Sequence, residues 1–480
     1  MKTYLFYDLE TTGLNKAFDQ ILQFAAIRTD EEFKELERYN IIVNLRPDVI
    51  PSPGASITHR ISIAKTKTGI SEYEAVKKIH ELINEPDTVS LGYNTLGFDD
   101  EFLRISFYRN LLPPYTHQYA NGCKRSDLLP LTAIYKLFKP EVIKWPEVNG
   151  RPTLKLEHIS SLNRLAVGQA HDALVDVEAT VELAKKLSTE KSFWDYFEKS
   201  FEKQTDIERR EKLGVAFESE FGKHYLGLMI NAKFGTSVMY NAPVISVGKS
   251  KHYSNQNIWI RIDNENLKTV TAENLFKTVY SIRRLDGGIE VLMPYTDKTS
   301  VYVDPDRREL MNNNIDWLKN NPEKLKLIVE EFQNFQYDDI KGKDLDSKLY
   351  SKGFFTREEE AFSRKFHAAD EKEKIELINS APTEDIKQLA TRIIFRNFKS
   401  YPDTIKKEYD DFMFKVNPPA DQEPLVDHKG EARYTPQMAR EEIEQKKEND
   451  LDTTQLTLIS ELEKYLESNF EENKSQLDLF

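Results

Sequence analysis

The chain has little cysteine and no long apolar segment. Only Cys123 of its 480 residues is a cysteine, which excludes an intramolecular disulfide framework and a zinc site built from several thiolates. Residues 1–8 contain neither a long apolar region nor a small-residue cleavage site, and no later run reaches the length of a membrane span. We therefore expect a cytoplasmic protein without a membrane partner.

Positive charge is also scarce. The net charge of −13 weighs against a nucleic-acid partner, because contacts to phosphates come from Lys and Arg. However, residues 441–480 contain twelve acids and four lysines, a net charge of −8, which leaves only −5 for the first 440 residues. A nucleic-acid path must therefore be a local basic groove rather than a globally positive surface.

The length suggests roughly two to four domains of about 100–200 residues each. Apolar alternation predicts the first three strands at residues 3–8, 21–28 and 39–43, and a further buried strand at 88–93. Spacing of three and four residues predicts helices at 74–83, 98–110, 128–138 and 173–187. The first 200 residues thus form a predicted α/β domain with a mixed sheet.

The predicted secondary structure changes twice in the rest of the chain. From about residue 227, short strands are predicted at 237–240, 258–262, 289–293 and 301–303, so that 201–350 forms a small β-rich domain. Residues 351–470 form a predicted helical domain, with helices at 371–378, 386–398 and 455–466. A Pro-containing stretch interrupts it at 418–424, and residues 471–480 are a predicted flexible tail.

Acidic residues stand at the ends of several predicted elements. Asp8 and Glu10 end the first strand, where alternation places both carboxylates on one face and Leu9 on the other. A tight turn, Thr11-Thr12-Gly13-Leu14, follows them. An Asp-x-Glu pair is common, and by itself it is better explained by a solvated strand end.

Two more segments add to this pair. Asp99 follows the buried strand 88–93 at the start of a helix, where either Asp99 or Asp100 would also serve as an N-cap. His171 lies just before another helix, and Asp176 lies about one turn inside it. Each has a structural explanation when taken singly. Together, four carboxylates and one His at the ends of elements favour two-metal phosphodiester hydrolysis.

The chemistry explains these residue types. Two divalent cations about 3.5–4 Å apart need hard oxygen ligands, and Mg²⁺ prefers carboxylates and water. A neutral imidazole suits the base that takes a proton from the attacking water, because its ordinary pKa of about 6.5 lies near the operating pH. Mg²⁺ is therefore the expected cofactor, as two ions, with Mn²⁺ as the alternative.

Three segments resemble a known superfamily in their order and spacing. Residues 8–13, 94–99 and 171–176 are similar to the three motifs of the DEDDh exonucleases, which include the proofreading exonucleases. The resemblance implies a ribonuclease H-like exonuclease fold for the first domain. It also implies that Asp8, Glu10, Asp99 and Asp176 are metal ligands and that His171 is the general base.

Further segments resemble one branch of that superfamily, the exodeoxyribonuclease I family. They are residues 23–30, 91–94, 98–101, 107–110, 156–158, 350–355 and 396–398. This resemblance implies processive 3′→5′ degradation of single-stranded DNA to nucleoside 5′-monophosphates, in DNA repair and recombination. It implies an SH3-like β domain and a helical domain that close around the strand, with single-stranded DNA-binding protein as a partner. We expect a monomer.

The resemblance also suggests where the strand is held. Candidate phosphate contacts are Arg109, Arg125 and Lys155, and Thr11, Gly13 and Leu14 are expected near the terminal nucleotide. Each of these residues fits a surface or packing role equally well. Base stacking on aromatic side chains would add to the binding, but the resemblance is too thin in the middle domain to assign contacts there.

The chain ends in a short apolar motif after a charged linker. Gln476, Leu477, Leu479 and Phe480 resemble the clamp-binding motif of bacterial replication proteins, which implies the sliding clamp as a partner. A tether of this kind raises the local concentration of the protein at DNA. The alternative is a frayed end that happens to be apolar.

Two other functions remain open. An RNA-processing exoribonuclease would use the same metal site and differ in its contacts to the 2′ position, but the two additional domains argue against it. A non-catalytic scaffold for DNA, clamp and single-stranded DNA-binding protein is the second. The presence of all five catalytic positions argues against that scaffold.

Overall fold

The computed structural model describes residues 1–168, 172–419 and 421–470. An α/β region comes first, a β-rich region follows, and a helical region ends the described chain. This is the predicted fold class, which is thereby confirmed. Within these ranges no helix combines the length and the apolar character needed to cross a membrane.

The first region contains a five-stranded mixed sheet in the order β3-β2-β1-β4-β5. Its central strand is antiparallel to β2 and parallel to β4. The five strands are β1 (Thr3–Thr11), β2 (Ile21–Thr29), β3 (Glu35–Ile42), β4 (Thr88–Leu91) and β5 (Lys124–Arg125). A separate two-stranded ribbon consists of β6 (Glu147–Val148) and β7 (Arg151–Pro152).

Helices cover both faces of this sheet. The helices of the first region are α1 (Pro53–His59), α2 (Ile63–Thr66), α3 (Glu72–Ile83), α4 (Asp99–Arg109), α5 (Leu128–Phe138), α6 (Leu156–Asn163), α7 (Ala173–Leu187), α8 (Lys191–Glu198) and α9 (Lys203–Glu211). The alternation of β1 decides which helices each side chain meets. Leu5, Tyr7 and Leu9 pack with residues of α3 and α4. Tyr4 and Phe6 face the other way, in the core that contains α7.

The middle region is built on a six-stranded antiparallel sheet in the order β12-β11-β10-β9-β13, with β8 also paired to β9. Its strands are β8 (Gly214–Ser219), β9 (Gly222–Ile230), β10 (Asn241–Lys249), β11 (Gln256–Arg261), β12 (Ser281–Leu285) and β13 (Val291–Pro294). The helices of this region are α10 (Leu275–Thr278), α11 (Asp297–Ser300), α12 (Pro305–Asn320) and α13 (Pro322–Asn334). Residues of α12 and α13 share a buried core with the sheet.

Two of the strands predicted here are wrong, and the sheet begins at residue 214 rather than near 227. Residues 236–238 form one 3₁₀ turn, and Met239 and Tyr240 follow with φ of 49° and 60°. A left-handed backbone cannot continue a strand. Residues 301–303 form the turn between α11 and α12. Both segments are short and apolar, so their local pattern resembles a strand although their backbone is a turn.

The third region consists of helices, as predicted, and its first helix begins at Leu349. They are α14 (Leu349–Lys352), α15 (Arg357–Ala368), α16 (Glu371–Leu377), α17 (Glu384–Asn397), α18 (Asp403–Val416), α19 (Pro436–Lys447) and α20 (Thr453–Asn469). Their buried faces form one core that also contains Ile105, Tyr108 and Leu111 from the first region. The helical region therefore packs directly on α4 and on the residues that follow it.

Candidate active site

Three carboxylates converge between β1 and α7. Asp8 and Glu10 continue the alternation of Tyr4 and Phe6, so both are directed toward the face that α7 covers. Asp176 lies in the first turn of α7, which begins at Ala173. Ligand oxygens of Asp8, Glu10 and Asp176 lie within 4.8 Å of one another. All three residues are partly exposed, so the group is open to a solute.

Asp99 reaches this site from α4. It is the first residue of that helix and is buried. Its Oδ1 accepts a hydrogen bond from the backbone N–H of Leu9, the residue between Asp8 and Glu10, at 3.1 Å. The end of β1 and the start of α4 are therefore joined directly beside the other carboxylates.

The electrostatics show that these carboxylates repel one another. Burial, followed by repulsion from Asp99, Glu10 and Asp176, raises the pKa of Asp8 well above its ordinary value. Burial, Asp176, Asp99 and Asp172 together raise the pKa of Glu10 to about 9. Burial likewise raises the pKa of Asp99. Oxygen donors crowded in this way are suited to a divalent cation, which would offset the repulsion.

The carboxylates of Asp99 and its neighbour Asp100 have different surroundings. The Asp100 carboxylate is directed away from the cluster, toward Nη2 of Arg104, Nη1 of Arg125 and Nε2 of His117, each 2.7 Å away. Burial alone would raise the pKa of Asp100, but the two guanidinium groups hold it well below its ordinary value. Asp100 is thus a structural anion held by cations, whereas Asp99 belongs to the group of mutually repelling carboxylates.

The loop after β1 is held by Asp19. Thr12 Oγ1 donates to Asp19 Oδ1 and the Asn15 N–H donates to Asp19 Oδ2, both at 2.8 Å. A Cβ on Gly13 would lie 2.5 Å from the same carboxylate, so a larger residue there would displace the Asp19 side chain. The buried Thr11 hydroxyl is used within the loop, where it donates to the Gly13 carbonyl. Leu14 is 77% exposed at the loop tip.

The three predicted phosphate contacts differ in their surroundings, and Arg109 requires a correction. It is 1% exposed, and its guanidinium donates to Glu72 at 2.6 Å and to the carbonyls of Ala17 and Asp19. Arg109 is therefore an interior residue without access to a phosphate. The sequence could not show this, because the carboxylate that compensates it lies 37 residues away.

Arg125 and Lys155 remain candidates. Arg125 has 18% of its side chain exposed and donates to Asp100 through Nη1. Lys155 is the N-cap residue of α6, has 70% of its side chain exposed and lies 3.4 Å from Glu157. Neither position is closed to a strand of nucleic acid, and Lys155 is the more accessible of the two.

Two predicted groups lie outside the described residues. They are His171, the predicted base, and the predicted clamp-binding residues Gln476, Leu477, Leu479 and Phe480. The described chain resumes at Asp172, whose side chain caps α7 by accepting the N–H of Leu174 at 3.0 Å.

Asp127 is a residue of the site region that the sequence interpretation missed. It is buried, and burial raises its pKa to about 7 although three backbone N–H groups oppose the rise. It lies close enough to Asp99 to raise the pKa of that residue further. In the sequence, Asp127 stands out only because it directly precedes the predicted helix 128–138, and that position is typical of an ordinary N-cap.

The comparisons with known proteins agree with this geometry. An exonuclease family model matches residues 5–184, which include Asp8, Glu10, Asp99 and Asp176. Exodeoxyribonuclease I of Escherichia coli is 39% identical over 191 residues, which are 39% of this chain and 40% of that protein. The same enzyme of Buchnera aphidicola subsp. Acyrthosiphon pisum is 31% identical over 297 residues, 60% of this chain and 69% of the relative.

This chain belongs to the exodeoxyribonuclease I family.

In sequence, the chain spans about two fifths of the length of the E. coli member. The structural similarity covers more of the chain than the sequence match does. The crystal structure described as the zinc-bound E. coli enzyme with single-stranded DNA matches 98% of this chain and 100% of that one, with a TM-score of 0.83 and 24% identity. The whole architecture is thus that of exodeoxyribonuclease I, including the β-rich and helical regions beyond the matched exonuclease model.

Proposed function

We propose that this protein is a 3′→5′ exonuclease specific for single-stranded DNA. The observation that carries the proposal is the group formed by Asp8, Glu10 and Asp176 within 4.8 Å, with Asp99 attached to the strand between the first two. Family membership supports the reaction class. The related E. coli structure is described as a complex with single-stranded DNA, which supports the substrate.

The carboxylates fit two divalent cations. All the donors are hard oxygens. Burial and repulsion between the carboxylates raise the pKa values of Asp8 and Glu10, and divalent cations would offset that repulsion. Asp8, Glu10, Asp99 and Asp176 would hold them, with Mg²⁺ as the physiological ion and Mn²⁺ as the substitute. Bound there, divalent ions would supply charge neutralisation at the scissile phosphate and at the leaving oxygen.

The remaining chemistry belongs to a base and a water molecule. We assign His171 as the base that accepts a proton from the attacking water, because a neutral imidazole has a suitable pKa. Water attacks the terminal phosphodiester, the bond to the 3′ oxygen of the penultimate nucleotide breaks, and that oxygen takes up a proton from solvent to become the new 3′ hydroxyl. The phosphate then stays on the released residue, so the products are nucleoside 5′-monophosphates.

Substrate contacts and partners follow from accessibility and family membership. Leu14 and Lys155 are exposed enough to meet the strand, and Arg125 can add a phosphate contact while it remains paired with Asp100. The sliding clamp is the proposed partner of residues 476–480. Single-stranded DNA-binding protein is proposed on family membership alone, as is a role in DNA repair and recombination. The single cysteine, Cys123, favours the cytoplasm.

The test uses 3′- and 5′-labelled single-stranded DNA, duplex DNA and RNA, each with Mg²⁺ or EDTA. We expect stepwise release from the 3′ end of single-stranded DNA only, abolished by EDTA and by Asp8→Ala. Glu31→Ala, which removes an exposed carboxylate in the same region, should behave as wild type. Preferential degradation of RNA would support the exoribonuclease instead. Binding without hydrolysis would support the scaffold.

A further inference from the structure

Asp127 makes more hydrogen bonds than a helix cap requires. It is 1% exposed and precedes α5, where its Oδ1 accepts the N–H of Leu129 at 2.9 Å. That bond is the ordinary cap. The same oxygen also accepts the N–H of Asn94, and Oδ2 accepts the N–H of Leu96, both at 2.9 Å. Two of its three bonds therefore go to a turn more than 30 residues earlier in the chain.

This turn connects β4 to Asp99. Asn94 adopts a left-handed conformation, with φ of 67° and ψ of 20°, which Asn tolerates better than most non-glycine residues. Gly92 precedes the turn and lies against the carbonyl of Tyr7, where a Cβ would collide. The turn is thus fixed on one side by β1, immediately before Asp8, and on the other side by the Asp127 carboxylate.

The position of Asp99 depends on this turn. Asp99 begins α4 three residues after Leu96, and the side chain of its N-cap residue, Phe98, makes no capping hydrogen bond. The Asp99 carboxylate reaches β1 through the Leu9 N–H at 3.1 Å. A shift of the turn by a fraction of an ångström would therefore move the Asp99 oxygens relative to Asp8 and Glu10.

We propose that Asp127 is a positioning residue for the hydrolytic reaction, because it holds the turn at residues 94–96 in the conformation that directs Asp99 toward Asp8 and Glu10. The proposal rests on the proposed function, since it assigns Asp127 a role in the same metal-dependent site. Asp127 does not touch the substrate in this role. It acts through the backbone that carries Asp99, as partners of metal ligands commonly do.

Two substitutions separate this role from capping. Asp127→Ser keeps a side-chain acceptor for Leu129, because Ser is a good N-cap, but its shorter side chain cannot reach the turn. Asp127→Asn keeps the length and removes one of the two accepting oxygens. The matched control is Ser71→Ala, which removes the N-cap of α3 in the same region. The full-length proteins are compared after circular dichroism has shown that they are folded.

Two measurements are made on each protein: Mn²⁺ binding without DNA, by electron paramagnetic resonance titration, and kcat and KM on an oligonucleotide. We expect both Asp127 variants to lose about 10–100-fold in Mn²⁺ affinity or kcat, with KM within about twofold of wild type. Ser71→Ala should change neither. Wild-type Mn²⁺ affinity and kcat in folded Asp127→Ser would overturn the proposal.

The two proposals can fail separately. If wild-type protein binds Mn²⁺ and degrades DNA while both Asp127 variants match it, only the positioning role is refuted. If wild-type protein neither binds Mn²⁺ nor degrades DNA, the proposed function is refuted, and the positioning role with it. If Asp127→Ser does not fold, Asp127→Asn decides. Reduced Mn²⁺ affinity or kcat in its folded form supports the role, and wild-type values of both overturn it.

Discussion

The backbone N–H of Leu9 donates a 3.1 Å hydrogen bond to the carboxylate of Asp99. Leu9 itself packs on the α4 side of the sheet, while its neighbours Asp8 and Glu10 are directed to the α7 side. The end of β1 thus carries two of the carboxylates on one face, and its backbone N–H binds the third, Asp99. The fourth carboxylate, Asp176, comes from α7, which covers the face of the sheet toward which Asp8 and Glu10 are directed.

The first prediction distinguishes Asp99 from Asp100. Asp99→Asn removes one charge from a repelling cluster, so the metal-free protein should be at least as stable as wild type while kcat falls by about 100-fold or more. Asp100→Asn breaks buried ion pairs with Arg104 and Arg125 and should cost about 3–5 kcal/mol of unfolding free energy. Urea denaturation and initial rates measure the two effects. Equal losses of stability in both variants would contradict the distinction.

The second prediction concerns pH and metal. The folded-state pKa of Glu10 is about 9, against an ordinary value of 4.5, so between these values the folded protein retains a proton that the unfolded chain has lost. The contribution of Glu10 to stability is therefore fully present below pH 4.5 and is lost as pH rises toward 9, by on the order of 1 kcal/mol per pH unit. Mn²⁺ should bind more tightly as pH rises, because its ligands must be deprotonated.

Thermal unfolding of the protein in EDTA, and with saturating Mn²⁺, measures both effects across this pH range. Glu10→Gln is the control, and its stability should depend less on pH than that of wild type. Wild type and Glu10→Gln curves that remain parallel from pH 5 to 9 would show that the Glu10 carboxyl does not titrate in this way.

The third prediction tests the correction for Arg109. Arg109→Met leaves Glu72 with one fewer cation in the interior and should cost about 3–5 kcal/mol of unfolding free energy. For the folded protein, the slope of log K for DNA against log salt should be unchanged, because a buried side chain neutralises no phosphate. Lys155→Met is the matched comparison. It should leave stability within about 0.5 kcal/mol of wild type and, if Lys155 contacts a phosphate, reduce that slope by about 1.

The fourth prediction concerns the C-terminal motif. Deletion of residues 476–480 should abolish binding to the sliding clamp and leave the rate on free oligonucleotides unchanged, because the motif acts only as a tether. Surface plasmon resonance on immobilised clamp measures the first effect, and a chain with Leu479 and Phe480 changed to Ser controls for length. Undiminished affinity for the clamp after deletion would exclude the motif as its binding segment.

Much of the fold could be predicted because local periodicity reports burial. The helices at 128–138 and 173–187 were predicted with the bounds that the structure has, since each carries an uninterrupted apolar face. The short strands predicted at 237–240 and 301–303 were wrong, because three or four apolar residues fit a buried turn as well as a strand. Helices α12 and α13 of the middle region were not predicted.

The sequence by itself determined that Asp8 and Glu10 share a face, because alternation along a strand is a property of the local backbone. It also determined that Asp176 lies in the first turn of a helix. The family resemblance already favoured Asp99 over Asp100, and the tertiary structure supplied the physical reason, because Asp99 accepts from Leu9 whereas Asp100 is paired with Arg125. Only the tertiary structure decided that Arg109 is directed inward to Glu72. Those outcomes depend on partners distant in the chain, such as Leu9, Arg125 and Asp127, and no local pattern specifies where such partners meet.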